Sequence, residues 1–477
     1  MALKVYNVLS RTKEDFNPIT PGVVKMYACG ITVSGDAHIG HAYQSVVFDV
    51  ITRYLRYLGY DVKYVRNYTD VDDKIIANAA KANENPITFA EKFMAQTDAE
   101  MDVLGNSHPT IMARATQCID DIINFVQKLI DSGHAYVSEF GDVYFKLDSF
   151  AGYGKLSHIQ VDKNDTGVRK ETEPGKQNDL DFALWKSAKP GEIAWKSPWG
   201  MGRPGWHIEC SAMNLKYLGD QIDIHGGGRD LVFPHHENEI AQTESLTGKQ
   251  FAKYWIHCGL VKVNGQKMSK SLGNGILLKD VLQKYDADTI RFALLRNTYS
   301  ADIDITDALL PESRKHIYKM YSTFLALENR DFSNHDTTKT DAKIAEIVND
   351  FERAMNDNFN TLEVIAAAFG WFNFINAESA KKTTEYDLKR IALKIKELFG
   401  VLNILQKNPA DYIGKVKTDV LQQNGITVAD IEKSILARKD AKQNKDWATA
   451  DAVRAELLER GIVLKDTATG TDWDVNL

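Results

Sequence analysis

The stretch VKMYACG (residues 24–30) is a short β-rich segment ending in glycine, and YDVKYVRN (residues 60–67) is a second segment with strand-like alternation. Between them the sequence predicts a helix over about residues 40–58, since apolar residues recur at helical spacing. Those residues are Val47, Ile51, Tyr54 and Leu58, and Gly59 stands where a helix-ending glycine belongs. A strand–helix–strand order predicts an α/β fold with a parallel, doubly wound sheet, whose ligands bind at the carboxyl ends of its strands.

The overall composition is that of a globular protein. The chain has 477 residues, which predicts about three domains. No apolar run reaches the roughly 20 residues that span a bilayer, and the N-terminal segment MALKVYNVLSRTKEDF lacks the apolar core of a signal peptide. We therefore expect a cytoplasmic protein with no membrane contact. Four cysteines are too few for a disulfide framework, and a net charge of −7 neither supports nor excludes nucleic-acid binding.

The domain organisation follows from changes in pattern along the chain. A turn-rich, charged stretch interrupts the α/β pattern, and the chain after about residue 275 is mostly helical. YWIHCGLVKV (254–263) is interpreted as one strand. The predicted regions are a Rossmann-like domain split into 1–112 and 200–252, an insertion at 113–199, a region at 253–315, an α-helical bundle at 316–405 and a small mixed α/β domain at 425–477.

The segment PHHENE is a candidate metal site. His235 and Glu239 are four residues apart and so share one face of a helix. Cys210 lies upstream, and Cys29 ends the first strand. If the sheet brings these side chains together, they form a tetrahedral donor set for Zn²⁺.

Other readings of these residues stay open at this point. The two cysteines could simply be buried beside a solvated acidic helix, because no C-x-x-C pair is present. His225 and His236 compete as metal ligands, whereas Cys118 and Cys258 are interpreted as core residues.

Two further segments could bind charged ligands. GQKMSKSLGN (265–274) carries Lys267 and Lys270 between glycines, which gives a mobile loop able to deliver positive charge to phosphates. HGGGRD (225–230) suggests a loop pressed against a ligand, where Asp230 could hold an ammonium group. The alternative for the first segment is an ordinary basic surface loop, and the alternative for the second is a tight turn.

The segment AHIGHAY (37–43) places His38 and His41 at the predicted N-terminus of the first helix. Free N–H groups and the helix dipole favour an anion there, and Gly40 lets a nucleotide approach the backbone. The alternative is a helix cap with incidental histidines.

HIGH after the first strand and KMSKS far downstream, taken together, resemble the paired signature of class I aminoacyl-tRNA synthetases. Further segments narrow the resemblance to the cysteinyl-tRNA synthetase family, and the likeness extends over the whole chain. These segments are YACG, NYTDVDDKII, GRPGWHIECSAMN, DIHGGGRDLVFPHHENEIAQ, FNT and the C-terminal GIVLKDTATGTDWDV.

The resemblance implies one zinc ion that binds the side chain of the substrate cysteine. The positions that match the family's zinc ligands are Cys29, Cys210, His235 and Glu239. Thr69 and Asp230 match positions that hold the amino and carboxylate groups of the substrate, and Trp206 matches a wall of the same pocket.

The resemblance also implies ATP-dependent activation of cysteine, with Mg²⁺ accompanying ATP, followed by transfer to tRNA(Cys). ATP binding falls to His38, Gly40, His41 and Lys270, and catalysis to His38, His41, Lys267 and Lys270. Residues 253–315 would then carry the KMSKS loop and contact the tRNA stem, 316–405 would bind tRNA, and 425–477 would recognise the anticodon. A monomer is expected.

The candidates for anticodon contacts are Trp447, Asp451 and Trp473. The two tryptophan rings could stack on unpaired bases, and the aspartate carboxylate could accept a hydrogen bond from a base edge. Two positions depart from the family pattern. The family usually has an aromatic residue where Ser34 stands and a basic residue where Tyr43 stands. Two alternative functions are a cysteine ligase that acts on a small amine and an inactive tRNA-binding paralogue.

Overall fold

The computed structural model describes residues 2–159, 175–189, 191–268, 272–328, 330, 335–467 and 470–477. A short antiparallel hairpin comes first, followed by the strand–helix–strand unit that the sequence predicts. The elements up to residue 114 are β1 (Lys4–Asn7), β2 (Thr12–Asp15), β3 (Val23–Thr32), α1 (Ile39–Tyr57), β4 (Asp61–Thr69), α2 (Asp73–Ala82), α3 (Pro86–Val103) and β5 (Ile111–Arg114). Gly59 follows α1 with a φ of +90°, a conformation that favours glycine.

The next part of the chain builds a second sheet and then returns to the first. Its elements are α4 (Ile119–Asp131), β6 (Ala135–Val137), β7 (Val143–Phe145), β8 (Phe182–Ser187), β9 (Trp195–Ser197), β10 (Gly200–Pro204), α5 (Trp206–Leu218), β11 (Ile222–Gly228), α6 (Glu237–Thr247) and β12 (Ala252–Cys258). Strands β6 to β10 pair in the order β6-β7-β8-β10-β9, with every pair antiparallel.

The central sheet has the strand order β12-β11-β3-β4-β5, and all its neighbouring strands are parallel. The chain enters at β3, builds outward to β5 on one side and returns to β11 on the other. The order therefore reverses between β3 and β11, which is where open α/β sheets bind ligands. Separate apolar cores lie against the two faces, one containing α1 and the other α5. The predicted doubly wound α/β fold is confirmed.

The segment after β12 corrects one prediction. The stretch 254–263, interpreted as one strand, is divided between β12 and a new strand in a separate sheet. A Cβ on Gly259 would lie 2.0 Å from the carbonyl oxygen of Ala301, so the backbone of another segment crowds the chain there and β12 cannot continue. The elements of this region are β13 (Val261–Val263), β14 (Gln266–Lys267), α7 (Leu278–Lys284), α8 (Ala287–Leu295) and β15 (Ile303–Ile305). Strand β13 pairs with β14 and β15.

Helices dominate the rest of the chain, and a two-stranded hairpin ends it. The elements are α9 (Leu309–Leu327), α10 (Thr337–Asn356), α11 (Thr361–Ser379), α12 (Leu388–Leu402), α13 (Pro409–Gln423), α14 (Val428–Gln443), α15 (Trp447–Glu459), β16 (Ile462–Asp466) and β17 (Thr471–Val475). The core beneath α1 continues into these helices. Among the described helices, none has the length and apolar character needed to cross a membrane.

The predicted domain boundaries stay predictions. Strand β5 runs across the boundary drawn after residue 112, and β12 begins at the boundary drawn after residue 252. Strand β10 belongs to the antiparallel sheet, although it begins at residue 200.

Candidate active site

A cleft of about 480 Å³ opens where the order of the central sheet reverses. Most of the residues predicted from the sequence line it, although they come from widely separated parts of the chain. Those that line the cleft are Cys29, His38, Gly40, His41, Thr69, Trp206, Cys210, Asp230, His235 and Lys267. Glu239 is buried against Cys29 and His235. Lys270 lies outside the described residues.

Four predicted metal ligands converge at the buried end of this cleft. Cys29 Sγ lies 3.7 Å from Cys210 Sγ, 3.5 Å from His235 Nε2 and 3.4 Å from Glu239 Oε1. His235 Nε2 is 3.0 Å from the same carboxylate oxygen. Around Zn²⁺, with bonds of roughly 2.0–2.3 Å, the donors of a tetrahedral site are about 3.3–3.8 Å apart. The four donor atoms therefore have nearly the spacing that one small metal ion requires.

The charges of this group shift one another's pKa values. A hydrogen bond from Cys29 lowers the pKa of Cys210 to about 6, and His235 adds to this effect. Burial and the same hydrogen bond raise the pKa of Cys29. Burial alone would raise the pKa of Glu239, but His225 and His235 lower it to about 2. These shifts favour the anionic forms of Cys210 and Glu239, which suits a cation.

Two more buried histidines, His225 and His236, contact the same donor residues. His236 Nε2 lies 3.3 Å from Cys29 Sγ, and His225 Nε2 lies 2.8 Å from Glu239 Oε2. These two histidines are the competing ligands named from the sequence, and with Cys29 and Glu239 they form a second group of converging donors. Both donor groups are fully buried, so the described part of the chain offers two overlapping ways to hold a metal ion.

Sequence reasoning missed other polar residues at the site. His207 Nδ1 lies 2.9 Å from His235 Nδ1, and His257 Nε2 lies 2.8 Å from Nδ1 of His236. The only available signal was that His207 precedes Cys210 by one helical turn. Lys74 also lines the cleft, on a helix that nothing in the local pattern linked to it.

The pocket beside the four donors has a polar and an aromatic wall. The Trp206 ring stacks on the His235 ring with centroids 4.4 Å apart. Thr69, at the end of β4, is buried, whereas Asp230 is exposed in the turn after β11. The predicted cysteine-binding residues thus surround a space next to the four donors.

The other end of the cleft brings together two segments that are far apart in sequence. His38 caps α1, and the rings of His38 and His41 stack with centroids 3.6 Å apart. The segment that follows the lysine loop runs beside this helix start, since Ile39 N donates to Ile276 O and Leu278 N donates to Ala37 O, both at 2.9 Å. HIGH and the segment that follows the lysine loop therefore meet at the N-terminus of one helix, where the dipole favours an anion.

The structure shows how the two unusual residues are accommodated. Tyr43 is buried, and its hydroxyl donates to the carbonyl oxygen of Tyr299 at 3.0 Å. Ser34 lines the cleft, and its carbonyl oxygen accepts from Asn78 Nδ2 at 2.8 Å. Tyr43 therefore ties α1 to the segment after α8.

The three candidate tRNA contacts lie in the small C-terminal domain. Trp447 is the first residue of α15 and is 60% exposed, and Asp451 is exposed one turn later. Trp473 is on β17, where Lys417 Nζ lies 4.6 Å from its ring centroid. Trp447 and Asp451 thus present a joint surface, while Trp473 is partly covered by a cation.

Comparisons with known proteins point to one enzyme family along the whole chain. A family model of the class I (C) tRNA synthetase catalytic domain matches residues 15–315, a DALR domain matches 350–406, and a cysteinyl-tRNA ligase anticodon binding domain matches 420–473. The chain is 46% identical over 480 residues to the cysteine–tRNA ligase of Syntrophotalea carbinolica, covering 99% of each. It is 44% identical over 490 residues to that of Thermodesulfovibrio yellowstonii, covering all of each. The chain belongs to the cysteine–tRNA ligase family.

Solved structures with little sequence identity share the fold of this ligase. A methionyl-tRNA synthetase from Mycobacterium tuberculosis, in complex with methionyl-adenylate, matches with a TM-score of 0.58 and 16% identity over 85% of this chain and 94% of that chain. A LeuRS from Agrobacterium radiobacter K84, in a ternary complex with tRNA, matches with a TM-score of 0.59 and 12% identity over 83% and 87%. The predicted family, fold class and enzyme class are confirmed.

Proposed function

We propose that this ligase activates L-cysteine with ATP and transfers it to the terminal ribose of tRNA(Cys). The observation that carries the proposal is the cleft itself. One end holds the buried group of Cys29, Cys210, His235 and Glu239, and the other holds the N-terminus of α1 beside the segment that follows the lysine loop. A single cleft with these two ends can hold a thiol amino acid and a nucleotide together.

Zn²⁺ suits this donor set, because two sulfurs, one imidazole and one carboxylate at tetrahedral spacing are ligands that it prefers. When bound, the ion would supply a strong bond to the thiolate of the substrate, which the protonated hydroxyl of serine cannot match. An apolar pocket separates such similar side chains only weakly. Selection through sulfur therefore makes a separate proofreading step unnecessary.

The walls of the pocket fix the rest of the amino acid. In this proposal the carboxylate of Asp230 holds the ammonium group of cysteine, and the hydroxyl of Thr69 contacts the backbone groups of the substrate. Trp206, held against His235, closes the pocket on one side. Excluding water there strengthens each polar contact.

In the first reaction, a carboxylate oxygen of cysteine attacks the α-phosphorus of ATP, and pyrophosphate leaves with the electron pair of the broken P–O bond. The attacking carboxylate has no proton to lose, so His38 and His41 need not act as bases. Their role is to stabilise charge on the phosphate at the α1 N-terminus, together with Lys267, Lys270 and the Mg²⁺ that accompanies ATP.

In the second reaction, a terminal ribose hydroxyl of tRNA attacks the carbonyl carbon of the mixed anhydride. The acyl C–O bond breaks, AMP leaves with its electron pair, and the hydroxyl proton is released to the leaving phosphate or to water. We propose that residues 253–315 carry the lysine loop and contact the acceptor stem, and that 316–405 bind the tRNA stem. Residues 425–477 would read the anticodon, with Trp447, Asp451 and Trp473 as contacts. The proposal also includes a monomeric, cytoplasmic enzyme, which size-exclusion chromatography and cell fractionation can test.

Two assays on the zinc-loaded protein test this function. Cysteine-dependent exchange of pyrophosphate into ATP reports activation, and radiolabelled cysteine offered to tRNA and to amino sugars reports transfer. We expect exchange, with label appearing on tRNA alone. Label on the amino sugar alone would favour a small-amine ligase, and no exchange would favour an inactive tRNA-binding paralogue.

A further inference from the structure

Three buried histidines behind the metal-binding group have no role in the proposed reaction. His225, His236 and His257 are at most 3% exposed, and two of them touch residues assigned as metal ligands. We propose that His236 and His225 are positioning residues that donate N–H bonds to Cys29 and Glu239, and that His257 fixes the tautomer of His236. This inference rests on the proposed zinc site.

The tautomer of His236 follows from its two neighbours. A metal-bound Cys29 is a thiolate, which has no proton to give, so the contact at 3.3 Å requires an N–H on His236 Nε2. A neutral imidazole then has a bare Nδ1, which must accept. His257 Nε2 lies 2.8 Å away and is therefore the donor. The three side chains form a directed chain from His257 through His236 to Cys29.

The remaining nitrogen of His257 fits this direction. If His257 carries its proton on Nε2, its Nδ1 is a bare acceptor, and that atom has no hydrogen-bond partner among the described residues. The reverse tautomer would bury an unpaired N–H there and would also aim a bare His236 nitrogen at a thiolate.

The contact between His225 and Glu239 follows the same logic. Glu239 uses Oε1 toward Cys29 and His235, and its other oxygen, Oε2, accepts from His225 Nε2 at 2.8 Å. Nδ1 of His225 has no partner in the part of the chain that the structure describes, as expected for a bare nitrogen. The ring of His225 stacks on Trp255 with centroids 4.6 Å apart, which fixes its orientation.

The physical reason for such donors is the charge of the site. Two thiolates and a carboxylate bring three negative charges to a divalent ion, so the site is left with a net negative charge away from water, and a substrate thiolate adds another. Buried charge is tolerated when it is hydrogen-bonded. Imidazole N–H groups supply those bonds without adding charge, and they fix the orientation of the ligands.

A zinc competition assay with full-length protein separates positioning from ligation. The affinity for zinc is measured against a chromophoric chelator, and stoichiometry at saturation by elemental analysis, for wild type, H236Q and H236L. The glutamine amide can donate an N–H close to the position of Nε2 but is a poor zinc ligand, whereas leucine can do neither. H134L is the control, because His134 lies near the second sheet, against Ser149 and Phe145.

We expect H236L to weaken zinc binding about 10–100-fold while keeping one ion per chain at saturation. We expect H236Q and H134L to bind within a few-fold of wild type. Wild-type affinity in H236L would refute the inference, as would equal weakening in H236Q and H236L, which would make His236 a ligand. Loss of zinc in C210S with no change in H236L would overturn this inference alone, whereas wild-type protein without zinc would overturn the proposed metal site itself.

If H236L does not fold by circular dichroism, H257L and H225Q test the same chain without touching its centre. Removing the donor on His257 should weaken zinc binding several-fold, because His236 loses the partner that fixes its tautomer. H225Q keeps an N–H toward Glu239 and should bind zinc within a few-fold of wild type. Unchanged binding in H257L, or loss of the ion in H225Q, would contradict the proposed roles.

Discussion

Replacing Cys210 by serine removes one sulfur donor from the buried metal-binding group and changes little else. Cys210 lies on α5 and is 1% exposed, and serine has nearly the same shape. A buried hydroxyl does not ionise at neutral pH, so the variant keeps only three strong donors: Cys29, His235 and Glu239. We expect C210S to bind zinc much more weakly than wild type.

The size of the loss follows from the number of donors. Four-ligand zinc sites in peptides bind with about 10–16 kcal/mol at pH 7, which is roughly 2.5–4 kcal/mol for each ligand. Since about 1.4 kcal/mol corresponds to a tenfold change, losing one of the four donors should raise the dissociation constant by about 10²–10³-fold. Activation of cysteine should fall with it, because the proposed function assigns selection of the substrate to the ion.

Elemental analysis after dialysis, together with chelator competition, measures both stoichiometry and affinity. C118S is the matched control, since Cys118 is equally buried but contacts Tyr217 and Lys216 instead of the metal-binding group. Circular dichroism shows whether each variant folds. Stoichiometric zinc at wild-type affinity in folded C210S would refute the assigned ligand set.

Arg291 on α8 forms a buried ion pair with Asp49 on α1. In a urea titration, R291M should lower the free energy of unfolding by about 3–5 kcal/mol, because it leaves a buried carboxylate without this partner. An unchanged unfolding midpoint would contradict this prediction. Burial would raise the pKa of Asp49, but Arg291 and Arg53 hold this pKa below its value in the unfolded chain. The ionised Asp49 therefore stabilises the fold fully above about pH 4, and this contribution is lost as the pH falls through the folded pKa. Urea titrations in acid should show this loss in wild type but not in D49N. W447A should raise the KM for tRNA about 5–150-fold, because a ring that stacks on a base is lost, and it should leave pyrophosphate exchange unchanged. The control L458A, at an exposed residue of the same helix, should change neither quantity. A loss of pyrophosphate exchange in W447A would contradict an anticodon role.

Features that depend on neighbouring residues could be predicted from the sequence. The first helix was expected over about residues 40–58 and is Ile39–Tyr57, because one apolar face and a terminal glycine define it locally. The parallel sheet followed from the strand–helix–strand order. Helical spacing alone predicted that the side chains of His235 and Glu239 lie together, and in the structure Nε2 of His235 is 3.0 Å from Oε1 of Glu239.

Features that depend on distant residues could not be derived in this way. The end of β12 is set by crowding at Gly259 from the backbone of Ala301, which no local pattern indicates. Cys29 and Cys210 are 181 residues apart, and only the resemblance to a family placed them together. The same holds for His257, which reads from the sequence as an ordinary strand residue and contacts His236 only because β12 lies beside β11.

The distribution of the ligands also bears on what the ion does. A structural zinc site binds its ligands on a small segment that cannot form a core alone, and the ion then supplies the folding energy. Here the donors lie on β3, on α5, on α6 and in the helical turn just before α6. Those elements are already fixed by the central sheet and by an apolar core that contains Phe145, Trp185 and Trp255. We therefore expect the fold to form without the ion. An ion held at the end of this open cleft, next to Trp206 and Thr69, would be placed to contact a substrate, which favours the proposed role in amino-acid selection over structural support.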